Sequence, residues 1–260
     1  MYLKIKPFIA FCSLIGFTNY VQASQWDLSA GGGGRILTGE LAAAVSATLG
    51  HGTVFWGQKT ENHDPFYGYF RPYTQVRSSY FVNRAELGLD FFPISFAGIT
   101  VGGSSTSRKI DLTTLDCSKL ECHGELNRVF IRSKFIGGYD IFYALLILRL
   151  EHLSASPRTR PFGDDWSSLY GNPGKDTLGS IELSLGAQLP QNWGLGLQLE
   201  WMKMSHSRSR NDHESLYVRK KIGSCTITAG AGLYRSTTAV RGFIGYAFAE
   251  WEIWPSVALN

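Results

Sequence analysis

A long β-hairpin is predicted by residues 125–154, which read ELNRVFIRSKFIGGYDIFYALLILRLEHLS. In the first half, the apolar side chains of Val129, Ile131 and Phe135 alternate with basic residues. In the second half, apolar even-numbered positions alternate with odd-numbered positions that include Arg149 and Glu151. A period of two places one face of each strand in apolar surroundings and the other in polar surroundings. The Gly137-Gly138 pair between the halves predicts a tight turn at 137–139.

Similar segments continue to the C-terminus, and no stretch after residue 24 is long and apolar enough for a membrane helix. Aromatic residues make up 13% of the chain, and Gly is abundant, with 29 residues. An apolar outer face with aromatic rims is typical of membrane barrels. The sequence therefore predicts an all-β fold, a single antiparallel up-and-down transmembrane β-barrel. A soluble sandwich or lipocalin-like barrel is the alternative, but a second sheet would then have to cover the apolar face.

The number of strands depends on how residues 66–92 are divided. Read as two strands with a turn near 80–83, they complete a barrel of twelve strands. Read as one strand, they leave ten or eleven, and closed bacterial barrels have an even number. We expect twelve strands, with ten as the alternative.

The N-terminus has the features of a cleaved secretory signal. Lys4 and Lys6 precede a short apolar run, and Val21-Gln22-Ala23 fits a small-residue cleavage site. We expect residues 1–23 to be removed and 24–260 to form the barrel. The formal charge then falls from +4 to +2, because two lysines and no acid are lost. This balance gives no indication of nucleic-acid binding.

Charged residues of both signs occupy the less apolar face of the predicted strands, and in a barrel that face lines the lumen. Short turns at 93–95, 137–139, 190–192 and 223–224 alternate with polar connections at 107–124, 155–176 and 206–213. Outer-membrane barrels have short periplasmic turns and longer outer loops, so these connections are expected outside. The predicted lumen charges are Arg84, Glu86, Asp90, Arg128, Arg132, Lys134, Arg149, Glu151, Glu182, Glu200, Arg219 and Lys221.

Two cysteines lie close together in the polar connection 107–124. Outside the cytoplasm, a local disulfide between Cys117 and Cys122 is the favoured interpretation. A metal site that also uses His123 is the alternative, although it lacks a fourth ligand. We expect no metal and no cofactor.

One pair of residues has the chemistry for catalysis. His152 and Ser154 are two residues apart, so they share the apolar, lipid-facing side at the outer end of their strand. A His that acts as general base for a Ser makes an acyl-transfer nucleophile. This strand-borne His-x-Ser resembles the outer-membrane phospholipase and lipid A deacylase families, which implies acyl-ester cleavage by His152 and Ser154. The alternative, which we favour, is that both are ordinary polar residues where a strand leaves the bilayer.

At the level of the whole chain, Trp56-Gly57, YGYFRPY (67–73) and FFPISFAG (91–98) look like segments of small, uncharacterised outer-membrane β-barrel proteins of double-membrane bacteria. The resemblance implies an outer-membrane location, with outer-membrane lipids, lipopolysaccharide and the barrel-assembly machinery as partners. Three functions remain open: a structural or narrow-pore barrel, a lipid hydrolase, and a surface interaction protein acting through its long loops.

Overall fold

The computed structural model describes residues 24–37, 40–57, 66–79, 82–109, 116–164, 167–237 and 242–256. The predicted signal segment 1–23 lies outside these residues, so its cleavage stays a prediction. Within the described ranges, no α-helix has the length and hydropathy needed to cross a membrane.

The chain forms a closed antiparallel barrel in which each strand pairs with its neighbours in sequence and the last strand pairs with the first. A separate two-stranded sheet, β8 (Phe162–Gly163) with β9 (Tyr170–Gly171), lies in the connection after β7. The barrel strands are β1 (Ser24–Leu37), β2 (Glu40–Trp56), β3 (Gly68–Ser78), β4 (Val82–Ile94), β5 (Ala97–Arg108), β6 (Gly124–Tyr139), β7 (Phe142–Ser156), β10 (Lys175–Leu189), β11 (Trp193–Met204), β12 (Arg210–Ile222), β13 (Cys225–Ser236) and β14 (Gly242–Trp254).

The predicted count of twelve barrel strands is confirmed. The uncertain region 66–92 is divided into β3 and β4, which pair in register from Tyr69↔Phe92 to Ser78↔Asn83. The tetraglycine at 31–34 lies within β1 and pairs with both β2 and β14. A Cβ atom at Gly33 would overlap with Phe248 of β14, so glycine allows the first and last strands to approach closely there.

The hairpin 125–154 forms as β6 and β7, but its turn is not at 137–139. Gly137 and Gly138 continue β6 and pair with Ala144 and Tyr143, and the turn falls at Asp140 and Ile141. Asp140 takes the left-handed conformation, with φ of 56°. Asp tolerates this region better than most residues, which explains why the turn does not need the glycines.

The connections divide the barrel into two ends. We call the end with the turns 95–96, 140–141, 190–192 and 223–224 the turn end, and the opposite end, with connections 109–123 and 157–174, the loop end. Predicted connection 206–213 is shorter, because β12 begins at Arg210. The alternation is also incomplete, since the turn end carries the connection 57–67 and the loop end carries short connections after β1 and β3.

The outward face is apolar along the middle of the barrel and aromatic towards the turn end. Exposed apolar side chains from most strands, such as Leu87, Val129, Leu150 and Leu216, form the middle band. An aromatic girdle near the turn end contains Trp26, Trp56, Phe66, Phe91, Tyr139, Phe142, Trp193 and Trp251, all substantially exposed. Aromatic residues of this kind mark the level where a membrane barrel meets the interface.

A buried ion cluster ties three strands together near the turn end. Arg71 of β3 donates from Nε and Nη2 to Asp27 of β1, at 2.8 and 2.5 Å, and from Nη1 to Asp90 of β4, at 3.0 Å. Both carboxylates are buried, with 3% and 9% of Asp27 and Asp90 exposed. One guanidinium therefore neutralises two acids that would otherwise be buried as uncompensated charges.

We expect Arg71→Leu to lower the free energy of unfolding by about 3–5 kcal/mol, because it leaves Asp27 and Asp90 without their cation. Urea unfolding in detergent micelles, followed by tryptophan fluorescence, measures the change. Arg219→Leu is the control, since Arg219 is an exposed inward cation with no ion pair to any described residue. Equal stability of the two variants would contradict a role for the cluster in holding β1, β3 and β4 together.

Candidate functional site

The structure places the twelve predicted lumen charges on inward positions of their strands. Most are buried or half-buried, whereas Arg219 and Lys221, towards the turn end of β12, are exposed. The inward positions are Arg84, Glu86 and Asp90 on β4, Arg128, Arg132 and Lys134 on β6, Arg149 and Glu151 on β7, Glu182 on β10, Glu200 on β11, and Arg219 and Lys221 on β12.

Glu86 is the centre of one half of the inward network. Its carboxylate lies 2.6 Å from Nη2 of Arg84 and 3.0 Å from Nη1 of Arg132, and it accepts a hydrogen bond from the Tyr73 hydroxyl at 2.9 Å. The Arg132 guanidinium also lies 3.8 Å from the centre of the Phe130 ring. These contacts join β3, β4 and β6 inside the barrel.

Glu151 and Glu182 extend the network to the next strands. Glu151 lies 3.7 to 3.9 Å from the guanidinium groups of Arg128, Arg132 and Arg149. Glu182 lies 4.0 Å from Arg149 and accepts a hydrogen bond from Gln198 at 2.9 Å. Charges of both signs are thus held in fixed positions along one side of the lumen.

On the opposite side of the lumen, the inward residues of β1 and β2 at mid-height are small. Gly31 and Gly33 face inward on β1, and Ala44, Ser46 and Thr48 face inward on β2, as the side-chain contacts of Thr48 with inward Gln75 indicate. In the same row as Gly33 and Ala44, Phe248 of β14 points inward and is nevertheless 46% exposed. The lumen therefore retains open space beside this wall at mid-height.

The connection 157–174 folds into the loop end of the barrel. We call its described residues, 157–164 and 167–174, the plug. Phe162 and Leu169 of the plug are fully buried and belong to one apolar cluster with inward residues of four barrel strands. Those strand residues are Leu126, Leu153, Ala155, Leu178, Met202 and Met204. Towards the loop end, these inward residues are apolar, unlike the charged inward residues at mid-height. The plug packs against them.

A buried ion pair holds the plug to the wall. Nη1 and Nη2 of Arg128 donate to Oδ1 of Asp164 at 2.8 and 2.7 Å, and neither side chain has any exposed surface. The other carboxylate oxygen of Asp164 accepts hydrogen bonds from the backbone N–H and the hydroxyl of Ser167, at 3.0 and 2.5 Å. Asn211 of β12 donates to the Ser167 carbonyl at 2.7 Å, and Arg108 of β5 donates to the Gly163 carbonyl.

Asp176 connects the end of the plug to the turn between β11 and β12. Its buried carboxylate accepts hydrogen bonds from the backbone N–H groups of Asn172, Thr177, His206 and Ser207, at 2.7 to 3.1 Å. Nδ1 of His206 lies a further 3.0 Å from Oδ1. Because one carboxylate satisfies four backbone donors from three segments, it fixes how the loop-end connections lie against one another.

The predicted disulfide between Cys117 and Cys122 is present. Cys122 is buried, and the adjoining Glu121 exchanges backbone hydrogen bonds with the plug, at 2.7 Å to the Pro161 carbonyl and 3.1 Å from Gly163 N–H. In the same turn, the side-chain hydrogen bond from Ser118 lowers the pKa of the Asp116 carboxyl. The disulfide thus closes a short loop whose Glu121 is hydrogen-bonded to the plug.

His152 and Ser154 lie on the outward face of β7 near the loop end. Nδ1 of His152 lies 3.4 Å from the Thr177 hydroxyl on β10, and no hydrogen bond joins His152 to Ser154 within the described residues. The structure therefore brings His152 to Thr177, and the catalytic pairing of His152 with Ser154 stays a prediction.

The structural features together define the class of protein. A closed barrel leaves no unpaired strand edge, which is the condition for β-structure to cross a bilayer. The apolar outward band, the aromatic girdle and the charged interior complete the pattern of a bacterial outer-membrane barrel. The chain is an integral outer-membrane β-barrel protein.

Comparison with solved structures finds barrels of the same kind. The KdgM porin matches with 10% identity over 87% of this chain and 99% of that chain, at a TM-score of 0.48. The NanC porin matches with 7% identity over 87% and 100%, at 0.46. The β-domain of the Bordetella autotransporter Brka matches with 9% identity over 88% and 99%, at 0.44. No family model and no curated protein sequence matches the chain.

The sequence predicted Arg128 as an inward charge but did not predict the two buried acids that hold the plug. Asp164 and Asp176 lie in or beside a polar connection, where an acid is normally solvated, and nothing in their immediate neighbours predicts burial. The one available signal was the break in the inward pattern at the loop end. At this end, the inward positions that carry polar residues further along the strands hold Leu126, Leu153 and Leu178 instead. Apolar side chains on the inward face indicate that another part of the chain covers them.

We expect Asp164→Ala to release the plug, because it removes the only carboxylate within 3 Å of the buried Arg128 guanidinium among the described residues. Tryptic cleavage after exposed Arg158, which Thr159 follows, should accelerate by about tenfold or more, since loss of a buried ion pair is strongly destabilising. The fold of the barrel is checked by heat-dependent mobility on gels. Glu125→Ala, which removes an exposed carboxylate at the same end, should leave cleavage unchanged.

Proposed function

We propose that the protein is a narrow-pore channel for small polar solutes whose loop-end opening is constricted by the plug. The observation that carries this proposal is the buried Arg128–Asp164 pair, which anchors a loop inside the barrel mouth. A loop that only displayed a binding surface would have no need to bury an ion pair and two apolar side chains in the lumen.

The shape of the lumen supports a narrow passage. Large inward side chains of β4, β6, β7 and β10 are joined by ion pairs, whereas β1 and β2 carry small inward residues at mid-height. The remaining space runs along the small-residue wall, beside the exposed ring of Phe248. A solute in this space would meet fixed charges of both signs, an arrangement that suits hydrated polar molecules better than apolar ones.

The extent of the charge network argues against a wide general porin. Barrels of about eight strands are filled by their side chains, and barrels of sixteen or more leave a broad aqueous channel. With twelve strands, this barrel lies between these limits, and its paired Arg and Glu side chains occupy part of the cross-section. Movement of the plug would determine how much of the remaining cross-section is open to a solute.

The other two functions that the sequence left open have less support from the geometry. In the surface-interaction hypothesis, the loop 155–176 reaches a partner, yet the plug residues Phe162, Asp164 and Leu169 are buried. The lipid-hydrolase hypothesis places His152 and Ser154 on the correct, outward side. Loss of phospholipid or lipid A acyl release in Ser154→Ala would support it, and no release by the unmodified protein would contradict it.

We expect Ala44→Trp to reduce the single-channel conductance of the refolded protein several-fold in planar bilayers, because an indole at this inward position fills the space beside Phe248. Ala43→Trp is the matched control. It places the same side chain one residue away on the outward face, where lipid accommodates it.

The same measurement tests the plug. Asp164→Ala should increase the conductance or the fraction of time open, because it releases the constriction while leaving the wall intact. If Ala44→Trp and Ala43→Trp conduct equally, the passage does not follow the small-residue wall. If both the unmodified protein and Asp164→Ala are silent at all voltages, the barrel is not a channel.

A further inference from the structure

The outward face of the barrel carries a groove near the loop end that the pore does not use. It has a volume of about 520 Å³ and lies across β6, β7, β10 and β11. Gly179 of β10 is its origin, because this outward position has no side chain and a Cβ built there would meet nothing within 4 Å. Its neighbours in register are Leu150 on β7 and Lys203 on β11, so the groove is a gap in a row of outward side chains.

The walls of the groove are apolar on the side that faces the middle of the membrane. Leu148, Ile181 and Trp201 form the next row towards the turn end and are directly paired across β7, β10 and β11. With Leu150, these side chains are 39 to 53% exposed on the lipid-facing surface. An acyl chain lying along the barrel would fill the gap at Gly179 and contact all four.

The loop-end rim of the groove is basic. Lys203 and Arg210 are paired in register across β11 and β12, in the same row as Gly179. Both are exposed, and neither forms an ion pair or side-chain hydrogen bond with any described residue. Asp212 lies one row closer to the middle, and Lys175 adds a third exposed cation on β10, four residues before Gly179. The rim therefore has two outward cations and one anion, and Lys175 lies beyond it towards the loop end.

We propose that this groove binds one molecule of a phosphorylated, acylated glycolipid of the lipid A class, the anchor of lipopolysaccharide. The cations lie on the loop-end side and the apolar walls on the mid-membrane side, in the order in which a lipid places its head group and its chains. The short turns assign the loop end to the outside, so the groove opens onto the outer leaflet. Lys203 and Arg210 contact a phosphate by charge-assisted hydrogen bonds, and an acyl chain occupies the gap at Gly179.

A second outward groove provides a comparison within the same molecule. It has a volume of about 480 Å³ and lies across β2 to β5. Its outward side chains are small and uncharged, among them Val45, Ala47, Val76, Ala85 and Ser105. Arg77 and Arg84 also border it, but both occupy inward positions of their strands. The second groove thus has no cation on its outward side, and we expect it not to select a phosphorylated lipid.

The experiment uses the full barrel, refolded in detergent and titrated with bis-phosphorylated lipid A or with lipid A from which both phosphates have been removed. Binding is measured by native mass spectrometry. The unmodified protein should bind one molecule of the phosphorylated form and prefer it by about tenfold or more. Lys203→Gln with Arg210→Gln should abolish that preference, since each basic residue near an anionic lipid contributes about fivefold in affinity. Lys220→Gln, which removes an outward cation at the turn end, should leave it unchanged.

Two further variants test the groove itself. Gly179→Leu should weaken binding of both forms of lipid A by filling the gap, whereas Ala85→Leu, in the uncharged second groove, should not. All these substitutions lie on the outward surface, and heat-dependent gel mobility confirms that each variant folds. The proposal is overturned if the double variant or Gly179→Leu binds phosphorylated lipid A as tightly as the unmodified protein. It is also overturned if phosphatidylglycerol competes with equal affinity, because the groove would then select anionic lipid in general.

Discussion

The pairing of β1 with β14 is the interaction on which the rest of the structure depends. It runs from Leu28↔Trp254 to Leu37↔Ile244 and converts an open sheet into a closed barrel. In a bilayer, an unpaired strand edge would leave backbone N–H and C=O groups without partners, at a cost of several kcal/mol for each group. Closure removes both edges at once. The glycines of β1 permit it, because a side chain at Gly33 would overlap with β14.

Closure also gives each strand an inward and an outward face. Because side chains alternate along a strand, the two faces have different residues and meet different surroundings. Outward positions meet lipid and are apolar, with aromatic rings near the turn end. Inward positions hold a network of charges that crosses from strand to strand, such as the contacts of Glu86 with Arg84 and Arg132. The paired side chains of the network occupy part of the cross-section of the lumen. The proposed narrow passage follows the small inward residues of β1 and β2 at mid-height, such as Gly33 and Ala44.

Much of this architecture could be predicted from the sequence, because a period of two is a local property that the side chains themselves display. The faces of β6 and β7 and the inward charges follow from that alternation, and the division of residues 66–92 follows from the even strand number of closed barrels. The position of the hairpin turn was less certain. Gly137-Gly138 is a good turn sequence, but β6 continues to pair with β7 through Tyr139, three residues beyond its predicted end, and Asp140 takes the left-handed conformation instead. Register depends on all the cross-strand pairs together, so two glycines cannot set it alone.

The functional features needed information that no local pattern contains. Asp164 pairs with Arg128, which lies 36 residues earlier, and Asp176 binds His206, which lies 30 residues later. The groove at Gly179 exists because strands far apart in the chain place Leu150 and Lys203 on either side of it. The barrel and the lipid-facing side of each strand are encoded in the amino-acid pattern, since strand geometry imposes that alternation residue by residue. The place where the plug rests and the cations that border the groove are properties of the folded barrel, because both depend on the stagger between strands, and that stagger is set when the barrel closes.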